Sequence, residues 1–233
     1  MSVISKLGTL LLLILGNLGL WRTTCYAQST NDHLKPGDQL NDTNPIICSA
    51  RVIYCLEFMK IDSSSPFYYL IVHGGYQNAW VANRNDQILN ASLDALTLDQ
   101  SGVLKITHQG QEPTILYSPP TDQPQDLINN TTATLLDTGN FVLQQHHPNG
   151  SNIVLWQSFD YPTDTLLSGM RLGVNHKTGE NRSLVSYFNG ISASPGPFTL
   201  EWEPRTCQLL ILRRGQVMQD KMMMFILIIQ LDN

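Results

Sequence analysis

The chain has 233 residues, with 14 Lys and Arg against 19 Asp and Glu and a formal charge of −5. That length allows one or two domains with a sizeable core. An acidic chain with no basic stripe repels phosphate backbones, which argues against nucleic acid as a partner.

In chain order, the first segment reads as an export signal. Lys6 supplies a basic start, Leu7 to Leu20 an apolar run, and Cys25-Tyr26-Ala27 a small-residue cleavage site, giving a signal over residues 1–27. The run is interrupted by Gly8, Gly16, Asn17 and Gly19 and is short for a membrane span. Cleavage leaves 12 basic side chains against 19 acidic ones, a charge of −7. Asn-x-Ser/Thr acceptors then recur at Asn41, Asn90, Asn129, Asn130, Asn149 and Asn181, each marking a surface position in an exported chain. Asn129 and Asn130 overlap, so one of the two is expected to be modified. Cys48 and Cys55 are close enough to bridge across a tight hairpin, or are both small core residues. Cys207 is left unpaired.

Strands follow. Tyr68 to Val72 is β-rich, His73-Gly74-Gly75 turns the chain, and Ala79 to Ala82 returns it. Leu104 and Ile106 alternate with Lys105 and Thr107. Pro119 to Pro124 reads as a loop. Thr132–Leu136 and Phe141–Gln144 flank Asp137-Thr138-Gly139-Asn140, a tight turn. Leu98–Ile106 and Leu136–Leu143 share a Leu-Asp start, a Gly turn and an apolar strand, a weak internal repeat that suits three small sheets around a common axis. The polar break His146–Asn152 suggests a domain boundary after residue 155. Beyond it Phe198, Leu200 and Trp202 alternate with Thr199, Glu201 and Glu203, and Leu209–Leu212 follows. No apolar pattern at helical spacing stands out. The expected class is all-β.

Enzyme motifs are absent: there is no G-x-S-x-G, phosphate loop, H-E-x-x-H or kinase catalytic loop. No catalytic residue, cofactor or metal is expected. His146 and His147 are adjacent and point to opposite faces of a strand, and His33, His73, His108 and His176 read as surface or loop residues. Asp160, Tyr161 and Asp164 lie in a Pro-containing turn whose spacing is not that of a calcium loop, and are expected to cap or satisfy backbone. Trp156, Phe159 and Trp202 read as core.

Several longer motifs carry a resemblance. Trp80–Arg84 (WVANR), Leu135–Gln145 (LLDTGNFVLQQ), Trp156–Leu167 (WQSFDYPTDTLL) with Gly169 and Leu172-Gly173, then Ser183–Ser186, Pro195–Phe198 and Leu200–Glu203, together resemble the extracellular part of the plant S-domain (G-type lectin) receptor-like serine/threonine kinases. The match runs from about Lys35 to Val217. It implies a bulb-type lectin β-prism of three small antiparallel sheets over residues 28–155, the start of an S-locus glycoprotein region over 156–217, and a divergent tail over 218–233. The tail's apolar run, Met222–Ile229, is too short to span a bilayer, so no membrane span is expected in the mature chain.

In bulb lectins each mannose site follows Q-x-D-x-N-x-V-x-Y, so the resemblance points to Thr138, Asn140, Val142 and Gln144 as carbohydrate-binding positions, with Leu136 where the Gln would stand. Only the Asn and Val are retained. The earlier copy places Ser101, Val103, Lys105 and Thr107 at the Asp, Asn, Val and Tyr positions and keeps none. Asn140 reads more readily as a turn residue than as a sugar contact. The resulting expectation is a non-enzymatic, extracellular or apoplastic recognition module, the truncated ectodomain of a receptor kinase, with a protein or glycan ligand or a full-length receptor kinase as partner. The alternatives are a secreted mannose-binding lectin and a fragment of a complete receptor kinase.

Overall fold

In the computed structural model the described residues are 32–75, 77–89, 94–108, 110, 112–175 and 179–218. The segment expected to be an export signal, with Cys25, and also the acceptor Asn90, His176 and the tail from 219 onward lie outside them. The chain forms β1 (His33–Leu34), β2 (Gln39–Leu40), β3 (Ile46–Cys48), β4 (Cys55–Met59), β5 (Tyr69–Gly74), β6 (Gln77–Val81), β7 (Ala95–Leu98), β8 (Leu104–Thr107) and β9 (Thr114–Tyr117). A helix α1 (Gln125–Asn129) precedes β10 (Thr131–Leu135), β11 (Phe141–His146) and β12 (Asn152–Gln157). These strands make three four-stranded antiparallel sheets, in the orders β1-β10-β11-β12, β2-β7-β8-β9 and β3-β4-β5-β6.

Period-two alternation explains why the three sheets close on one another. The cross-strand pairs Leu135↔Phe141 and Ala133↔Leu143 in the first sheet, Leu96↔Ile106 and Leu98↔Leu104 in the second, and Leu56↔Val72 and Phe58↔Leu70 in the third all belong to a single core. No one sheet could bury such a face alone, since each needs the other two to exclude water. The all-β prism expected from the sequence is the observed architecture.

Beyond the prism lie β13 (Gly173–Val174) and β14 (Asn181–Arg182), a two-stranded ribbon. They are followed by a fourth four-stranded sheet of β15 (Leu184–Asn189), β16 (Ser192–Glu203), β17 (Gln208–Arg213) and β18 (Gln216–Val217).

The structure differs from the sequence reading at several points. Helix α1 occupies the polar segment after Pro124, where no helix was expected; five residues carry too little periodicity to read. The break at His146–Asn152 is the turn between β11 and β12, and β12 carries Trp156 into the prism core, so the third strand of that hairpin unit runs through Gln157. The two Leu-Asp starts are not equivalent. Asp99 N–H bonds Val103 O as Leu136 N–H bonds Asn140 O, which sets Leu98 opposite Leu135 and Gly102 opposite Gly139. His73 and His108 are not loose surface groups. His73 lies in β5, 2.8 Å from Glu57 Oε1, and the His108 side chain is buried against Asp94.

Candidate functional site

Residues 142 and 144 alternate along β11 and share one face of the sheet, while 138 and 140 lie in the turn before it. The turn forms because Gly139 adopts φ +82°, and a Cβ there would lie 2.8 Å from Leu167 Cδ1. Asn140 does not serve as the left-handed residue of this turn; its side chain is a junction instead. Its Nδ2 donates to Gln157 Oε1 at 2.9 Å. Its Oδ1 accepts from Ser158 Oγ at 3.1 Å and from Phe159 N–H at 3.2 Å. Ser158 Oγ in turn accepts from Phe141 N–H. Asn140 thus holds the 3-10 turn Ser158–Asp160 against the hairpin. Val142 is 1% exposed and offers no surface, and Gln144 is half-buried between Thr132 and Val154. In the earlier copy, Lys105 Nζ and Ser101 Oγ both donate to Asp99, and Thr107 Oγ1 donates to Ala95 O.

The neighbouring turn is pinned from a third direction. Cys48 and Cys55 are joined by a disulfide across β3 and β4, which fixes the hairpin that presents Arg51. Arg51 donates from its N–H and Nε to the two Asp137 carboxylate oxygens at 2.9 and 2.8 Å. These bonds hold the Asp137 carboxyl below the usual carboxylate range. Cys207 is exposed and free, in a turn at φ +51°. Of the glycan acceptors, Asn41 and Asn149 each accept from the hydroxyl of their own Thr43 and Ser151 at 2.7 Å, and Asn129, Asn130, Asn149 and Asn181 are exposed.

A concave feature lies at the seam between the prism and the fourth sheet. Strand β5 is buried on both faces. Leu70 and Val72 face the prism axis, while Tyr69 and Ile71 pack with Val81 and Ala193 in a second core. Arg84, at the end of WVANR, crosses the seam. It donates from Nε to Ala193 O at 2.6 Å, from Nη1 to Val185 O at 2.8 Å and from Nη2 to Ser186 O at 2.7 Å. Its guanidinium also lies over the Tyr187 ring, 5.2 Å from the centroid. Burial lowers the Arg84 pKa, against the favourable field of Asp164. Burial raises the Asp164 carboxyl above its ordinary range, with Arg84 opposing, and pushes the Tyr187 phenol well up. Asp164 Oδ1, Thr163 Oγ1 and Tyr187 Oη are buried, and none reaches hydrogen-bond geometry with a partner in the protein. Asp160, expected to cap backbone, pairs with Arg182 Nη1 at 2.8 Å.

Beside Arg84 a groove of about 350 Å³ opens, lined among others by Trp80, Trp156, Tyr161 and Thr163. Trp80 Nε1 donates to Tyr161 O at 2.8 Å and fixes the rim. Arg84 and the groove escaped the sequence reading, although the uninterrupted apolar run Tyr69–Val72 signals a strand covered on both sides.

The family model described as D-mannose binding lectin matches residues 78–187. A G-type lectin S-receptor-like serine/threonine-protein kinase of Arabidopsis thaliana is 38% identical over 191 residues, 80% of this chain and 22% of the relative. A second such kinase from the same plant is 37% identical over 199 residues, 81% of this chain and 23% of the relative. An S-locus-specific glycoprotein of Brassica oleracea is 34% identical over 163 residues, 69% of this chain and 36% of the relative. This chain is a homologue of the S-receptor-like kinases and S-locus glycoproteins. It spans about a quarter of the length of the receptor-kinase relatives named here. Among the described residues no helix is long and apolar enough to cross a membrane, and no group of three or more His, Cys, Asp or Glu is placed to hold a metal ion.

Proposed function

We propose that this lectin-like chain is a recognition module of cell-surface signalling, working at the cell exterior and binding a protein or glycan partner, alone or beside a full-length receptor kinase. It transforms nothing; its chemistry is that of a surface. The observation that carries the reading is the fate of Asn140. A mannose site needs several neutral donors and acceptors free to converge on one pocket. Here both ends of the Asn140 amide are spent on Gln157, Ser158 and Phe159, and Val142 is buried. The prism is kept as a scaffold, while the positions that bind mannose in bulb lectins have become joints within it. Passing the secreted protein over mannose-agarose tests this. The expected result is flow-through; retention with elution by free mannose would establish a mannose lectin instead.

A further inference from the structure

The seam groove is lined differently from the β11 positions. A run of rings climbs from the core behind it to its mouth. Phe141 packs edge-on to Trp156 with centroids 6.2 Å apart, and Trp156 stacks on Tyr161 at 5.7 Å with an interplanar angle of 19°. Exposure along that run rises from 0% at Phe141 to 6% at Trp156 and 51% at Tyr161. The outermost ring is therefore backed by a second ring and held at the mouth, with its body in contact with water. A preorganised aromatic surface of this kind binds flat apolar faces at little entropic cost.

The polar groups around it point to an uncharged ligand rich in hydroxyls. Thr163 lines the groove and is 6% exposed; its Oγ1 lies beside the Asp164 carboxyl and meets no partner there in full hydrogen-bond geometry. A buried hydroxyl left this way costs free energy that a ligand hydrogen bond would recover. At the mouth, Asp86 accepts from Thr114 Oγ1 at 3.0 Å and keeps further lone pairs for hydroxyl donors. Arg84, the groove's cation, is committed to the Val185, Ser186 and Ala193 carbonyls, so nothing there rewards an anion, and the Asp86 carboxylate repels one. Among the described residues no glycan acceptor lines it.

We propose that this groove is a saccharide site, separate from the mannose-type positions on β11, for neutral oligosaccharides of all-equatorial pyranoses. Such rings present an uninterrupted C–H face to Tyr161 and turn their hydroxyls outward to Thr163 and Asp86. The axial 2-hydroxyl of mannose interrupts one face and fits less well. The volume lies at the small end for ligand pockets, which matches one or two sugar rings rather than a folded partner. The inference rests on the recognition reading and supplies its ligand class.

The test is a titration of the secreted full chain with cellotetraose and, separately, mannotriose, read by tryptophan emission, since Trp80 and Trp156 line the site. The expected result is a saturable change with cellotetraose and at least about tenfold weaker binding of mannotriose. Tyr161→Ala should weaken cellotetraose binding about tenfold or more, Thr163→Val by a smaller factor, and Tyr161→Phe by less than about twofold, because the stacking face is kept. Absence of any response to cellotetraose, or an unchanged affinity in Tyr161→Ala, overturns the site. If the protein also flows through mannose-agarose, the recognition reading survives that failure. Retention on mannose-agarose that Tyr161→Ala leaves intact would place the sugar site on β11 and overturn the reading of those positions as parts of the fold.

Discussion

The prism and the fourth sheet are made of the same units, short antiparallel strands joined by tight turns, but they reach stability by different routes. In the prism the inward residues Leu34, Leu40, Ile47, Leu70, Leu96, Leu104, Leu143 and their neighbours are fully buried. In the fourth sheet Leu184 and Ala193 are buried, while Phe188, Ile191, Leu209 and Val217 are exposed. Three sheets can each cover the other two, whereas a single sheet has one face to lean on and one left over. Apolar burial therefore holds the prism, while the fourth sheet leans on the small second core around Tyr69, Ile71 and Ala193 and is fastened by the polar crossing at Arg84. Tyr69 Oη accepts from Ala193 N–H at 3.2 Å, on the strand whose carbonyls Arg84 engages.

Substitutions should separate the two routes. Phe141→Ala removes a fully buried ring from the prism core and from the Trp156 stack. It should cost about 3–5 kcal/mol and lower the midpoint of the main unfolding transition in denaturant. Arg84→Ala leaves the buried Ala193 carbonyl and the half-buried Val185 and Ser186 carbonyls without this donor and should cost about 2–4 kcal/mol. Its signature is local: hydrogen exchange should accelerate in β15 and β16 while β10 and β11 keep their protection. Equal acceleration in both regions would mean that the fourth sheet is not separately fastened. Asn140→Ala strips the junction to Gln157, Ser158 and Phe159 and should cost about 1–3 kcal/mol, with exchange rising first in the 158–160 turn.

The smallest effect is a pH dependence. Burial holds the Asp164 carboxyl above its ordinary value of 3.8, so the folded protein binds that proton more tightly than the unfolded chain does. The contribution is complete below the unfolded value and is lost as pH rises through the folded one. Asp164→Asn, which carries no charge at either pH, should show a smaller decline in thermal midpoint than the parent as pH rises from about 4 toward neutrality. Identical slopes would show that Asp164 does not titrate differently in the fold.

How much of this is legible in the sequence follows from the range of the interactions. Alternation at Leu104–Thr107 and the Gly turns are local, so strands and hairpins could be read directly. The LLDTGNFVL and WQSFDYPTDTLL segments are long enough to indicate the lectin scaffold. The partners of Asn140 stand 17 to 19 positions away, and those of Arg84 lie 101 to 109 away. No local pattern encodes such pairings. A motif match can mark Asn140 as a sugar position, but only the fold shows that its amide is occupied. The groove likewise needs Trp80, Trp156 and Tyr161 brought together from two segments about eighty residues apart.

We propose that a mannose-lectin scaffold has been retained while Asn140 and Val142, two of its sugar positions, serve the fold instead. Isothermal titration of the purified protein with methyl α-mannoside measures this. The expected result is no saturable heat at millimolar ligand; a saturable isotherm abolished by Gln144→Leu and indifferent to Tyr161→Ala would contradict it.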